Sequence, residues 1–458
     1  MGAGAASVSL LALTRCGGGW NSRLLPDLMG PLSPVRDESS GLPMLELPEG
    51  FRYHTFSWAG SSLHDGRKVP IRADGMGVVR QKGSLVTMVR NHEVRSSSGA
   101  MGDPADSYDV TGGGTTTLVF DTERERLVDS WVSLSGTLTN CAGGVTPWGT
   151  WLSCEEGVLS PALSHLPKPA RQMWWDTDEA EKEHGFVFEV PAEGIAKPVP
   201  LKGMGQFYHE AAAIDPQSGI VYMTEDISPR CGFYRFIPNK PGELAASGRL
   251  EMMRVEDGRE MRDRVTLGKE YAVSWVGIED PEKGNTDGNR EGDGVFRQGF
   301  EEGGSAFISL EGCAFHAGRV YFTSKSGGRA NAGYVFEYDP LREKLVMVFE
   351  SPGHGVVSGP DNIIMSPRGS LVICEDRTNR IHAAQSIVGL TEQGQLFRFC
   401  RLNPDLKGEY LGWDVRDTAR MSEWCGVTFS IDGDWLFCNL QKPGLTIAIT
   451  GPWQKGLI

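Results

Sequence analysis

Six short segments each open with a residue able to hold a cation: Asp74 in DGMGVV, Cys141 in NCAGGVTP, Glu210 in HEAAAID, Glu311 in LEGCAF, Asp361 in PDNIIMSP and Glu423 in EWCGVTF. Each opener stands seven to ten positions before a turn-type glycine. Were these residues to converge, five carboxylates and a thiol would share one place. Like charges raise one another's pKa, and buried unpaired anions are costly, so bound cations are the simplest remedy. Oxygen ligands suit calcium, magnesium or manganese, whereas a thiolate favours a softer transition metal. The set therefore points to a mixed site, such as iron beside calcium. A second tier of acids ends the following apolar runs: Glu93, Glu155, Glu156, Glu225, Asp226, Glu375 and Asp376. His92, His209 and Asn362 are further polar groups beside them. A lone acid at a strand end is commonly a turn residue that satisfies backbone amides. Recurrence at one place in every repeat is what favours the cation-binding role. Cys313 and Cys425 are expected as core thiols, and Trp148, Trp151 and Trp424 as packing residues.

The elements that would position the openers repeat as well. Each opener begins a short strand, a glycine turn follows, and a second strand comes next: Gly83-SLVTMVRNHE, Gly149-TWLSCEE, Gly219-IVYMTED, Gly318-RVYFTSKS, Gly369-SLVICEDR and Gly433-DWLFCNLQ. A third strand, generally opened by glycine, follows each. Glycine supplies the positive φ of a hairpin turn, and the apolar alternation suits strands buried on two faces. Six such repeats predict an all-β, six-bladed β-propeller with loop insertions, its inner strands bringing the openers to one mouth of a central channel. Residues 1–45 are expected as a signal-like segment and a linker or wrapping arm, and residues 46–458 as a single propeller domain. Residues 157–184 and the charged, glycine-rich 279–294 are expected as surface insertions, with a short helix possible near 176–184.

Bulk properties narrow the function. The chain has 458 residues, 59 glycines and 26 prolines, and a formal charge of −14. It lacks the basic footprint that nucleic acid requires. No GK[ST] phosphate loop, GxSxG elbow or HExxH helix is present. The nine cysteines are odd in number and match no zinc pattern. Ala5 to Leu13 resembles the apolar part of a secretory signal and is too short to span a membrane. Export to the periplasm or medium is expected, with a start placed after a lost twin-arginine segment. Cys16 follows an arginine, a poor match for a lipoprotein site. No transmembrane segment is expected, and the chain is expected to be monomeric.

Six stretches carry a family resemblance: NHE at 91, NCAGGVTPWGTWLSCEE at 140, GQFYHEAAAID at 205, VYMTEDI at 221, SGPDNI at 358 and VTFSIDGDWLFCNLQKPG at 427. Together they resemble the PhoX-type alkaline phosphatases over about Gly50 to Trp453. The resemblance implies an exported six-bladed propeller that holds iron and calcium and cleaves small phosphate monoesters. It implies Cys141 as an iron ligand, with Glu210 and Glu311 binding the metals beside it and Glu311 acting at the reaction centre. Glu93, Glu155, Glu156, Asp361 and Glu423 would complete the ligand set. There is a departure. Family phosphatases place an arginine and a proline before the glutamate of the fourth repeat, where this chain has Ser309-Leu310-Glu311. Arg377 or Lys325 would then have to grip the phosphate. Two further functions stay open: a calcium-dependent lactonase-type hydrolase using Glu210, Asn362 and Asp361, and a non-catalytic, metal-stabilised platform.

Overall fold

The computed structural model describes residues 28–97, 99–263, 265–376, 385–416, 422–453 and 457–458. The signal-like segment, Cys16 and Arg377 lie outside the described residues. Three strands come first, β1 (Ser33–Val35), β2 (Leu45–Leu47) and β3 (Arg52–Phe56), and each joins a sheet built by later parts of the chain. β4 (Ala73–Lys82), β5 (Leu85–His92), β6 (Thr111–Asp121) and β7 (Arg126–Gly136) form a four-stranded antiparallel meander. β8 (Asn140–Val145), β9 (Thr150–Glu155) and β10 (Val187–Pro191) form a three-stranded one.

The next two repeats do not make separate sheets. β11 (His209–Ile214), β12 (Val221–Glu225), β13 (Phe233–Pro238) and β14 (Gly248–Val255) are followed by β15 (Glu270–Gly277). A short helix, α1 (Gly294–Glu301), then leads into β16 (Leu310–His316), β17 (Arg319–Ser324), β18 (Tyr334–Asp339) and β19 (Lys344–Glu350). β15 pairs with β14 on one side and with β19 on the other, giving one nine-stranded sheet. Its end strands β11 and β16 lie against each other, so it nearly closes as a barrel. β20 (Pro360–Met365), β21 (Leu371–Glu375), β22 (Ser386–Leu390) and β23 (Leu396–Leu402) form a further sheet, which β2 and β1 extend to six strands. β24 (Glu409–Tyr410) and β25 (Trp413–Asp414) make a small ribbon. β26 (Trp424–Phe429), β27 (Trp435–Leu440) and β28 (Leu445–Thr450) are completed by β3.

The expected six-bladed propeller is thus corrected. The fold is all-β, with four propeller-like sheets and a separate, nearly closed nine-stranded one. The cause is β15, an extra strand supplied by the long interval between the third and fourth turn glycines. Its unpaired edge would leave backbone N–H and C=O groups unsatisfied, and pairing with β19 removes that edge. The predicted hairpin turns do form: Gly83, Gly149, Gly219, Gly318, Gly369 and Gly433 all have positive φ, between 60° and 91°. No helix forms at 176–184; α1 instead begins where the second insertion ends. The two insertions meet, with Arg290 Nε donating to the Pro167 carbonyl at 3.1 Å. No helix among the described residues is long and apolar enough to cross a membrane.

The strands carrying the openers pack in cyclic order: β4, β8, β11, β16, β20 and β26, with β26 returning to β4. Toward one end the channel they surround is lined by small and apolar residues, among them Gly75, Ala142, Ala211, Gly312 and Val427. The strands approach very closely here. A Cβ at Gly144 would lie 2.0 Å from the carbonyl oxygen of Ala212 on the next strand. Apolar side chains fill the spaces between sheets, as with Trp424, Phe397 and Ile447.

Candidate metal centre

The same backbone irregularity recurs where each opener strand meets its partner. In β4–β5 the pairing runs Ala73 to His92 and then slips to Met76 with Arg90. Equivalent slips follow Asn140–Glu155, His209–Glu225, Leu310–Ser324 and Pro360–Glu375. A β-bulge leaves a residue unpaired and re-aims its side chain. The residue just inside each bulge is Asp74, Cys141, Glu210, Glu311 or Asp361. In β26 the slip follows Cys425–Asn439, so the equivalent residue is Gly426. Glu423 therefore lies three residues earlier in register and reaches the cluster from outside the strand. Side chains at its own register would be crowded out, because a Cβ on Gly426 would lie 2.6 Å from the Asp74 carbonyl oxygen.

Strand alternation sorts the second-tier acids. Glu155, Glu225 and Glu375 end their strands facing into the sheets and are fully buried. Glu155 accepts from the backbone N–H groups of Leu138 at 2.8 Å, Gly185 at 2.7 Å and Phe186 at 3.0 Å, and contacts His184 Nδ1 at 2.7 Å. Glu225 accepts from Gly232 N and the Tyr234 hydroxyl, and Glu375 from Ser358 N and Ser386 N. These carboxylates tie the end of the second strand to the start of the third. Glu155, expected among the ligands, is thus occupied by the backbone and does not join the cluster. His92 holds the same position in the first sheet, between the Ile71 carbonyl and the Thr116 hydroxyl. His209 contacts the Gly205 carbonyl through Nε2 and stacks on Phe207; burial pushes its pKa down to about 3.

The next residue along points the other way. Glu93, Glu156, Asp226, Lys325 and Asp376 follow the five strand ends and join the openers. Among the described residues the potential ligand atoms form three groups, within each of which they lie no more than 4.8 Å apart: Cys141, Glu156 and Glu210; Asp74, Glu93 and Glu423; and Glu210, Glu311 and Asp361. Glu210 belongs to two of them. Cys141 Sγ is 3.2 Å from Glu210 Oε1, while Glu210 Oε2 is buried without a partner.

Charge crowding is severe. Burial, and then the neighbouring acids, raise Asp74, Glu210 and Glu423 well above the usual carboxylate range. Glu311 is raised likewise, against the pull of Lys325. Burial lifts Glu156 to about 8 despite Arg95, and Asp361 to about 7 despite Lys325. The Cys141 thiol is pushed up by burial, Asp74 and Glu210. Basic groups offset only part of this. Lys325 Nζ is 2.5 Å from Glu311 Oε1, 3.4 Å from Asp226 and 3.7 Å from Asp376. Arg95 pairs with Glu93 and lies 3.8 Å from Glu156. One amide nitrogen, Gln441 Nε2, faces Asp74 at 3.0 Å, Glu93 at 2.7 Å and also Glu423. Its two hydrogens cannot serve three carboxylates.

Of the expected ligands, Cys141, Glu210, Glu311, Glu93, Glu156, Asp361 and Glu423 are brought together. Gln441 and Arg95 were missed, although Gln441 ends the quoted run LFCNLQ and Arg95 stands two residues after Glu93. Asn362 does not offer its carbonyl to the cluster: Oδ1 accepts from Gly426 N at 2.5 Å and Nδ2 donates to Asp361 at 2.9 Å. Among the described cysteines no disulfide forms.

Comparison with solved structures gives distant likenesses. A gluconolactonase from Xanthomonas campestris aligns with TM-score 0.41 and 12% identity, covering 94% of this chain and 99% of that one. The PQQ domain of a pyranose dehydrogenase from Coprinopsis cinerea aligns with TM-score 0.33 and 9% identity, covering 91% and 98%. A search of curated proteins finds no match. The family model of alkaline phosphatase PhoX, by contrast, matches residues 28–444. With that match spanning nearly the whole chain and its quoted motifs meeting in one acidic cluster, the chain belongs to the PhoX family.

Proposed function

We propose that this chain is a metal-dependent hydrolase of small phosphate monoesters. The observation that carries the proposal is the set of three adjoining ligand groups, linked through Glu210 and containing one thiol. The donors fit bound cations: Glu210 Oε2 is buried without a partner, and three carboxylates compete for Gln441. Cys141, Glu156 and Glu210 would hold a soft ion such as iron. The two all-oxygen groups would hold calcium. When bound, such ions supply Lewis acidity and positive charge toward phosphoryl oxygens. The chain itself contributes placement. The bulges aim the openers inward, and the Glu155-type carboxylates fix the strand ends from which Glu156 projects. Arg95, with 41% of its side chain exposed, carries positive charge to the solvent side of Glu93 and Glu156 and would orient an anionic substrate. Of the two expected clamps, Arg377 lies outside the described residues and Lys325 is paired with Glu311. Export and a monomeric state belong to the same proposal and are tested by cell fractionation and light scattering.

Metal analysis paired with p-nitrophenyl phosphate turnover tests the reading. Cys141→Ala should lose iron and turnover together while retaining calcium. Full turnover by an iron-free Cys141→Ala protein would refute it. A calcium-only hydrolase of lactones is the second reading, favoured by the Glu210–Glu311–Asp361 group, which has no soft donor. The absence of an arginine before Glu311 also fits it. Lactone turnover by the calcium-loaded, iron-free chain, without phosphate release from esters, would select it.

A further inference from the structure

The geometry points to a fourth cation position in the cluster, permanently filled by the ammonium group of Lys325. The register makes the case first. Ser324 pairs with Leu310 as His92 pairs with Ala73, Glu155 with Asn140, Glu225 with His209 and Glu375 with Pro360. The following residue is an acid in four of these five strands: Glu93, Glu156, Asp226 and Asp376. In the fifth it is Lys325. A lysine thus replaces an anion at a register where two other repeats supply members of the ligand groups, Glu93 and Glu156.

The surroundings of the ammonium are those of a bound ion. Three carboxylates from three different strand ends converge on Nζ: Glu311 at 2.5 Å, Asp226 at 3.4 Å and Asp376 at 3.7 Å. Glu311 comes from the opener position, whereas Asp226 and Asp376 follow the second strands on either side of β17. Glu311 is also shared with the Glu210–Glu311–Asp361 group, so the ammonium sits next to that group as a neighbouring metal ion would. Its side chain is 21% exposed, on a stem fixed by β17. The charge balance runs the same way. Exchanging an acid for a lysine raises the local charge by two, the value of one divalent ion. The substitution therefore sets how many ions the centre takes up.

This inference rests on the metal-cluster reading above, but its test needs no turnover. The full chain, stripped and then loaded with calcium chloride, is passed through a desalting column and its calcium counted by elemental analysis. Lys325→Met removes the charge, and Lys325→Glu restores the acid of the other repeats. Each should bind one more calcium per chain than the wild type, while Lys325→Arg should match the wild type. An unchanged count in folded Lys325→Met and Lys325→Glu protein would overturn the inference. Should both variants fail to fold, calcium-loaded wild-type crystals decide: no calcium anomalous peak is expected among Glu311, Asp226 and Asp376, and a peak there would overturn it. A wild-type chain that binds no calcium at all overturns this inference together with the metal-cluster reading, whereas loss of phosphatase activity alone leaves the count unaffected.

Discussion

His184 offers the most sharply calculable perturbation. Its ring is fully buried, with Nδ1 2.7 Å from Glu155 Oε1 and Nε2 3.2 Å from Asp109 Oδ2. Burial alone would lower its pKa. The Glu155 and Asp109 carboxylates outweigh that and raise it from 6.5 to about 9. Burial likewise disfavours the Asp109 anion, but bonds from His184 and the Lys182 amide hold it down to about 2. A raised histidine pKa means that the folded state binds the proton more tightly. The stabilisation is therefore complete below the unfolded pKa of 6.5 and disappears as pH rises through 9. At about 1.36 kcal/mol per pKa unit, the proton contributes roughly 3 kcal/mol at pH 6 and almost nothing at pH 10. His184→Gln keeps much of the volume and cannot take up the charge. Urea unfolding of both proteins at pH 6 and pH 10, with calcium held constant, measures the gap between them. Other titrating groups are common to both chains and cancel. The gap should shrink by about 3 kcal/mol between pH 6 and pH 10. A gap independent of pH would show that the imidazole is neutral in the fold and that the Asp109–His184–Glu155 charge arrangement is wrong.

Three further outcomes are expected. Glu156→Gln should lower metal content with little loss of stability, whereas Glu155→Gln should spare the metals and cost about 2–4 kcal/mol in urea unfolding, as a buried and fully bonded carboxylate is lost. Calcium affinity should rise from pH 6 to pH 8, because Asp361, raised to about 7, must shed its proton to bind an ion; calorimetry in two buffers should record the protons released. Gly144→Ala should destabilise by several kcal/mol, of order 3 or more, because a Cβ there meets the Ala212 carbonyl oxygen at 2.0 Å and the strands would have to part; thermal unfolding measures it.

The sequence carried the hairpins and openers because both depend on local chemistry. A glycine with positive φ and an acid at a strand start leave marks that a repeat search can align. Alternation could also have separated Glu155 from Glu156, since successive residues on a strand face opposite sides. Three things depended on pairing at a distance and left no local mark. One is the joining of β15 to β19, which merges two repeats into a single sheet. Another is the register of β26, where Gly426 stands in the opener position and Glu423 arrives from three residues earlier. The last is the company of Lys325, whose role comes from Asp226 and Asp376, each some fifty to a hundred residues away in the chain. The departure before Glu311, where Ser309-Leu310 stand in place of an arginine and a proline, was legible in the sequence itself.

The pairing of β3 with β28 has a consequence for the order of assembly. The strands are antiparallel from Arg52 with Thr450 to Phe56 with Thr446, so nearly the whole chain lies between them. A contact of such sequence separation forms late, and during synthesis it cannot form before the last strand has left the ribosome. β26 belongs to the same sheet and brings Glu423 toward Asp74 and Glu93. The carboxylates around Glu210 are therefore complete on a nascent chain still missing its seam, and those around Asp74 are not. An ion taken up before the seam closes would meet the Glu210 side of the centre first.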